Sequence, residues 1–296
     1  MLLTCALFVV FANIVRRDGP AAIGAWHAAT VEWRWIALAT LCAIAGQLVY
    51  VYGWIRVLSD CGVTLAAWPA CRMFFVSNLG RYLPGGKAWQ MGIIGVMAAE
   101  IGLPAATLAA TSLLTGVVGV GIGLIVLSVA GGTLIGLSRW WLAPPLLGLV
   151  CLLCFPQLLR LWPYGYARVN ERWPHVASIT NAGIWATVWT STGNWILWGF
   201  GLYFLARGLI VEPSVRVSTY VAAWAGPFIL GLIAVFAPAG VGVRDSAMSG
   251  VLHAGGVSAG NTLVVVVIAR IWGTALDVVP AVAVLLRRGG LRRKSR

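Results

Sequence analysis

Apolar runs long enough to cross a bilayer recur from one end of this chain to the other, and no water-soluble fold of this length can bury them all. A spanning helix takes roughly 20 apolar residues. Run length places candidate spans at about 1–15, 35–58, 104–129, 134–156, 181–206, 218–237 and 260–286. With 60% of the 296 residues hydrophobic and only 10% charged, the connectors leave no room for a sizeable aqueous domain, and a soluble catalytic domain is excluded. Hydrocarbon offers the backbone no hydrogen-bond partner, so spans of this length must be helical. The expected fold is all-α, a polytopic integral membrane helical bundle of about 7–9 spans. A single transmembrane domain covers 1–286 and a basic tail covers 287–296. Met1 to Val15 lacks the basic leader and small-residue cleavage site of a signal peptide and reads as a retained first span, with a start codon upstream left open.

The connectors carry the topology signals. The net charge is +13, and six of the 21 basic residues sit in the tail from Arg287 to Arg296. Beside a membrane helix such a tail anchors topology on the cytoplasmic side and attracts anionic headgroups; nucleic acid is not an expected partner. A polar, Trp-rich connector is expected at 16–34 and a basic one at 157–180, with Trp33, Trp35, Trp54, Trp140, Trp141 and Trp173 forming interfacial aromatic belts. Seven spans with the N-terminus outside satisfy the charge bias less well than eight spans with the N-terminus inside, the second broken segment then crossing. Gly119 and Gly123, with Gly116 and Gly121, suit close helix packing. The cysteines, Cys151 and Cys154 included, read as small apolar filler, with no disulfide implied.

Two segments, 65–103 and 238–259, do not read as ordinary spans. The first holds Arg81-Tyr82-Leu83-Pro84-Gly85-Gly86-Lys87-Ala88-Trp89-Gln90. The second holds Pro238-Ala239-Gly240-Val241-Gly242-Val243-Arg244-Asp245. Pro84 cannot donate a helix hydrogen bond, and Gly85 and Gly86 permit a sharp turn. A helix restarting there presents free N–H groups beside Arg81 and Lys87, an anion site suited to phosphate. The competing reading has both cations snorkelling to the interface. At the second break Gly240 and Gly242 open the backbone and Arg244-Asp245 starts another helix. Asp245 also fits simple compensation of the helix dipole. Arg244 needs a partner, which Asp245, Asp277, Glu100 or a lipid phosphate could supply.

Pro84 and Pro238 stand 154 positions apart (238 less 84), as do Gly86 and Gly240, Phe74 and Phe228, and Gly102 and Gly256. Such matches point to an internal repeat, although a Gly/Ala-rich chain also yields them by chance. Interrupted segments in matching halves mark a transporter-like site. In the last span Arg270 and Asp277 lie two turns apart on one face, read either as a structural ion pair or as a polar lining to the cavity that Arg244 borders. Gln47, Asn194 and Glu100 are weaker polar candidates. No catalytic constellation emerges, His27, His175 and His253 are isolated, and neither a cofactor nor a metal is expected.

At the two breaks, and at Arg270, the chain resembles the family named for the transmembrane region of lysylphosphatidylglycerol synthase. Its patterns look like LPG followed by a basic or Trp-containing stretch, and PxGxGxRE. Here Asp245 stands where Glu is commoner, and an extra glycine follows Pro84-Gly85. The resemblance implies a polytopic helical domain that flips or handles lipids, in a stand-alone form without the aminoacyltransferase domain. The expected protein is therefore a non-enzymatic lipid flippase-like protein of the bacterial cytoplasmic (inner) membrane, its C-terminus in the cytoplasm. Its partners would be anionic or zwitterionic phospholipid or a polyprenyl-linked glycolipid. The expected substrate contacts are Arg81, Pro84, Gly85, Gly86, Lys87, Gln90, Gly240, Gly242, Arg244, Asp245, Arg270 and Asp277. The alternative is a non-transporting scaffold for a cytoplasmic glycosyltransferase or lipid-modifying enzyme. An integral-membrane glycosyltransferase would need an acidic pair in an exposed loop, which is lacking.

Overall fold

The computed structural model describes residues 2–83, 85–132, 179–209, 215–233 and 242–287, with 146, 147, 150 and 171. Every regular element among them is helical. In chain order these are α1 (Leu2–Ala28), α2 (Trp33–Asp60), α3 (Ala67–Asn78), a 3₁₀ turn (Leu79–Tyr82), α4 (Gly86–Glu100), α5 (Ala105–Gly131), α6 (Asn181–Leu209), α7 (Val217–Ile233), α8 (Val243–Ala254) and α9 (Ala259–Leu286). Helices α2, α5 and α9 are long and apolar enough to cross a membrane. At 29 residues α6 is as long, but threonines, Asn181 and Asn194 dilute its hydropathy. Most of the expected span at 134–156 and of the connector at 157–180, with Pro84, Pro238, Gly240 and the tail beyond Arg287, lie outside the described residues.

The expected connector after residue 15 is corrected. Helix α1 continues to Ala28, carrying its charge as a local pair in which Arg17 Nε donates to Asp18 Oδ1 at 2.8 Å. Adjacent opposite charges compensate each other, and the helix runs on through Gly19 and Pro20.

Both broken segments fold back on themselves. In the first, Gln90 Nε2 donates to Asn78 Oδ1 at 2.6 Å, and Ala70 and Ala98 belong to one apolar cluster. Helices α3 and α4 are thus the antiparallel arms of a hairpin. Its tip turns at Gly85, whose φ of +77° an L side chain adopts only with strain. In the second, the Arg244 guanidinium lies 4.4 Å from the Trp224 ring centroid and Gly255 packs on Thr219, so α7 and α8 are likewise antiparallel. The expected span at 218–237 and the segment 238–259 pack together as one hairpin of α7 and α8, with residues 234–241 between them outside the described residues. Gly242, at φ +79°, turns the chain back. The Asp245 carboxylate accepts its N–H at 3.0 Å, so the reversal leaves that buried donor satisfied.

The two halves are repeats. Leu103 N–H donates to Ala98 O at 2.9 Å and Val257 N–H to Leu252 O at 3.0 Å, and each donor and acceptor is 154 positions from its counterpart. Gly102 and Gly256 both have positive φ, +70° and +95°. Helices α5 and α9 start at Ala105 and Ala259, again 154 apart. Upstream of the breaks the spacing shrinks to 148, from Trp33 to Asn181 at the starts of α2 and α6.

The repeats are also inverted. Gly208 packs on Glu32, Gly201 on the Ala39 carbonyl, Gly46 on Asn194 and Gly183 on Asp60, so α2 and α6 run antiparallel. Small residues let these backbones approach closely. Equivalent swaps tie each hairpin to the opposite half. Gly131 of α5 meets Ala222 of α7, and Arg287 after α9 lies 5.2 Å from the Trp68 ring of α3. The hairpins therefore enter the bundle from opposite ends and meet near its middle.

Candidate functional site

Where the hairpin tips meet lies a cavity of about 420 Å³. It sits on the axis relating the halves. Thr115, Gly116, Gly119 and Val120 of α5 line it, and so do their counterparts Ala269, Arg270, Gly273 and Thr274 of α9; Gln90 and Arg244 form another matched pair. The backbone is thus symmetric and the chemistry is not. Gly116 and Gln90 stand in one half where Arg270 and Arg244 stand in the other.

Two of the expected cations are already paired. Arg81 Nη1 lies 3.2 Å from Asp277 Oδ2, and Tyr82 donates its hydroxyl to the same oxygen at 2.8 Å. Arg270 Nη1 donates to Asp245 Oδ1 at 3.0 Å and to Oδ2 at 3.1 Å. Arg270 and Asp277 share a face of α9, but each pairs with the tip of a different hairpin rather than with the other. The expected ion pair between Arg270 and Asp277 is corrected, since each is paired with a hairpin tip instead, while both residues line the cavity.

Arg244 is different. Among the described residues no carboxylate pairs with it. Its guanidinium lies over Trp224 at 4.4 Å and Phe228 at 5.4 Å and lines the cavity. The partners expected for it are spent, Asp245 on Arg270 and Asp277 on Arg81, while Glu100 is exposed at the far end of α4. Its aromatic seat is rigid, since the Trp198 ring stacks on Trp224 at 4.5 Å and 7°.

The remaining expected contacts divide. Arg81, Gly85, Gly86, Gln90, Arg244, Arg270 and Asp277 line the cavity. Gly242 and Asp245 stand behind the wall and position Arg270. A Cβ on Gly86 would come within 2.9 Å of Arg81 Cα, so that glycine is needed for close approach at the tip. Pro84, Gly240 and the side chain of Lys87 lie outside the described residues; only the Lys87 backbone, in the first turn of α4, is described.

The neutral wall was only partly read from the sequence: Gln47 and Asn194 stood among the weaker polar candidates, and Asn78 was not singled out. Asn78 and Gln47 are 2% and 3% exposed and line the cavity, yet Asn78 Nδ2 and Gln47 Oε1 have no hydrogen-bond partner among the described residues. An unpaired buried amide atom is costly. Tyr82 and Asn194 also reach the wall, and Trp54, expected at an interface, is buried and bonds Thr111 Oγ1 at 3.1 Å. The one signal for the aromatic wall was the pairing of Phe74 with Phe228 at the repeat spacing. Cation, aromatic faces and unpaired amides together can hold an anionic or polar headgroup away from hydrocarbon. Compared with known families and with curated proteins, the chain matches no family model and no curated sequence.

Proposed function

We propose that this chain is a non-enzymatic, lipid flippase-like membrane protein, and that a phospholipid or lipid-linked glycan headgroup passes through or rests in the central cavity. The observation that carries this reading is the Arg244 guanidinium, seated on Trp224 and Phe228 with no carboxylate among the described residues, between two hairpins that enter from opposite ends. A cation kept unneutralised amid apolar helices has a use for an anion. Inverted repeats with broken helices meeting at mid-bundle provide the architecture in which such a group is handed from side to side. The resemblance of both tip motifs to the transmembrane region of lysylphosphatidylglycerol synthase points the same way. On this reading the protein lies in a bacterial cytoplasmic membrane with its basic tail inside. Purified protein in vesicles should move an acyl-labelled fluorescent phospholipid between leaflets, and Arg244→Ala should abolish the movement while the protein stays folded. Unchanged movement in that variant would remove the assigned site.

A further inference from the structure

Away from the cavity, we infer that the seam between the start of α2 and the end of α6 holds the phosphate of an anionic phospholipid. Such a site needs only a bilayer around the helices and stands whether or not the cavity transports. It lies at the end of the bundle opposite Arg287, because α2 begins beside Gly208 of α6 and leads to α3 at the other end, where Arg287 meets Trp68. Backbone closes the seam. Glu32 N–H donates to Gly208 O at 3.0 Å, which forces the flanking side chains together.

Two guanidiniums share one indole there. Arg207 lies 5.3 Å and Arg34 5.5 Å from the Trp35 ring centroid, while Phe204 stacks on the same ring at 5.7 Å and 10°. Arg34 has a carboxylate, Glu32, at 2.6 Å. Arg207 has none among the described residues. Its Nη1 donates to the Tyr203 hydroxyl at 3.3 Å, which leaves the hydroxyl proton to be donated elsewhere. A third cation stands at the same end. Helices α6 and α7 run antiparallel, with Trp195 against Phe228 and Trp198 against Trp224, and Tyr203 packs on Tyr220 at 5.6 Å. Arg207 follows Tyr203 by one turn and Arg216 precedes Tyr220 by one. Arg34, Arg207 and Arg216 therefore face Glu32 alone among the described residues of this rim.

The surface below the arginines commits the occupant to a lipid. Phe200 lies one turn deeper on α6, 6.2 Å from Phe204. Phe200 and Ile196 of α6, with Leu38 and Leu41 of α2, are exposed. A guanidinium rim over an apolar lane matches an amphiphile, whose phosphate takes paired N–H donors while its acyl chains lie on the lane. A soluble phosphate gains nothing from the lane. A choline headgroup brings a second positive charge to a rim that already has an excess.

The test is native mass spectrometry of the full chain in detergent, titrated with phosphatidic acid or phosphatidylcholine. Phosphatidic acid should bind about tenfold tighter, the ratio expected from one extra charge-assisted contact, and Arg207→Gln should remove that preference. Should the variant not fold, Arg207→Lys, which keeps the charge but not the flat stack on the indole, should lower the preference, and an unchanged ratio counts against the site. Since the cavity also takes phosphate on the reading above, both titrations are repeated on Arg244→Gln. A preference that persists there and is lost on adding Arg207→Gln supports the seam. One that survives Arg207→Gln but vanishes with Arg244→Gln overturns the seam and credits the cavity. Equal binding of the two lipids also overturns the seam and leaves transport untouched. Free glycerol 3-phosphate displacing phosphatidic acid at equal concentration would overturn the lipid source.

Discussion

Arg270 and Asp245 are locked together from two different helices, one guanidinium nitrogen of α9 reaching both carboxylate oxygens of α8 at 3.0 and 3.1 Å. The same carboxylate accepts the Gly242 N–H at 3.0 Å. A single acidic side chain therefore neutralises a cavity arginine and closes the turn that sends the second hairpin back.

Asp245→Asn should destabilise the protein by about 3 kcal/mol, since breaking a mostly buried pair leaves its partner uncompensated. The double variant Asp245→Asn/Arg270→Gln should lose less than the two single losses combined. Thermal unfolding in detergent checks this, and simple additivity would show that the residues are not coupled.

Asp277 fastens the first hairpin tip to α9. Tyr82→Phe removes one hydrogen bond and should cost about 1 kcal/mol. Asp277→Asn also strands Arg81 and should cost about 3 kcal/mol. Hydrogen exchange should quicken over residues 79–83 in both variants and stay unchanged in α8. Equal quickening in α8 would mean general loosening.

Two glycines on long helices should answer oppositely to alanine. A Cβ on Gly199 would lie 2.7 Å from Val221 Cα, a backbone atom that cannot rotate away, so Gly199→Ala should cost about 1–3 kcal/mol. Gly121 has nothing within 4 Å of its added Cβ, and Gly121→Ala should be neutral or stabilising by up to about 1 kcal/mol. Unfolding midpoints of the two variants decide.

The repeat makes a prediction of equality. Gly102 and Gly256 hold the same left-handed turn at φ +70° and +95°, each with open space around an added Cβ. Gly102→Ala and Gly256→Ala should each cost roughly 1–2 kcal/mol and agree within about 0.5 kcal/mol. A wide difference in unfolding midpoint would show that the matched turns do unequal work.

The apolar runs, the breaks and the 154-residue spacing were legible because each depends on local composition. Run length marks helix, and Pro with Gly marks a turn. The fold-back of α7 on α8 was not legible, since a run of span length at 218–237 looks the same whether it crosses or stops midway. Neither was the pairing. Arg81 and Asp277 are 196 positions apart, and nothing in the chain around either names the other. The sequence left Asp245, Asp277, Glu100 or a lipid phosphate open as the partner of Arg244, but helix geometry delivered the Asp245 carboxylate to Arg270. Asn78 and Gln47 were obscured for another reason: a lone amide in an apolar helix reads as a packing hydrogen bond until its partner is seen to be missing. The repeat was hard to secure because its spacing changes from 148 to 154 between the start of α2 and the start of α5.

Trp198 and Trp224 are stacked almost parallel, 4.5 Å apart and inclined by 7°, with the Arg244 guanidinium on the second ring. Two indoles so close share their electronic excitation, and a charge resting on one of them tunes its energy. Anything that draws the guanidinium aside will change the near-ultraviolet dichroism and the emission wavelength of the pair. If a ligand enters the cavity as proposed, this pair would report its arrival without a dye or an engineered cysteine.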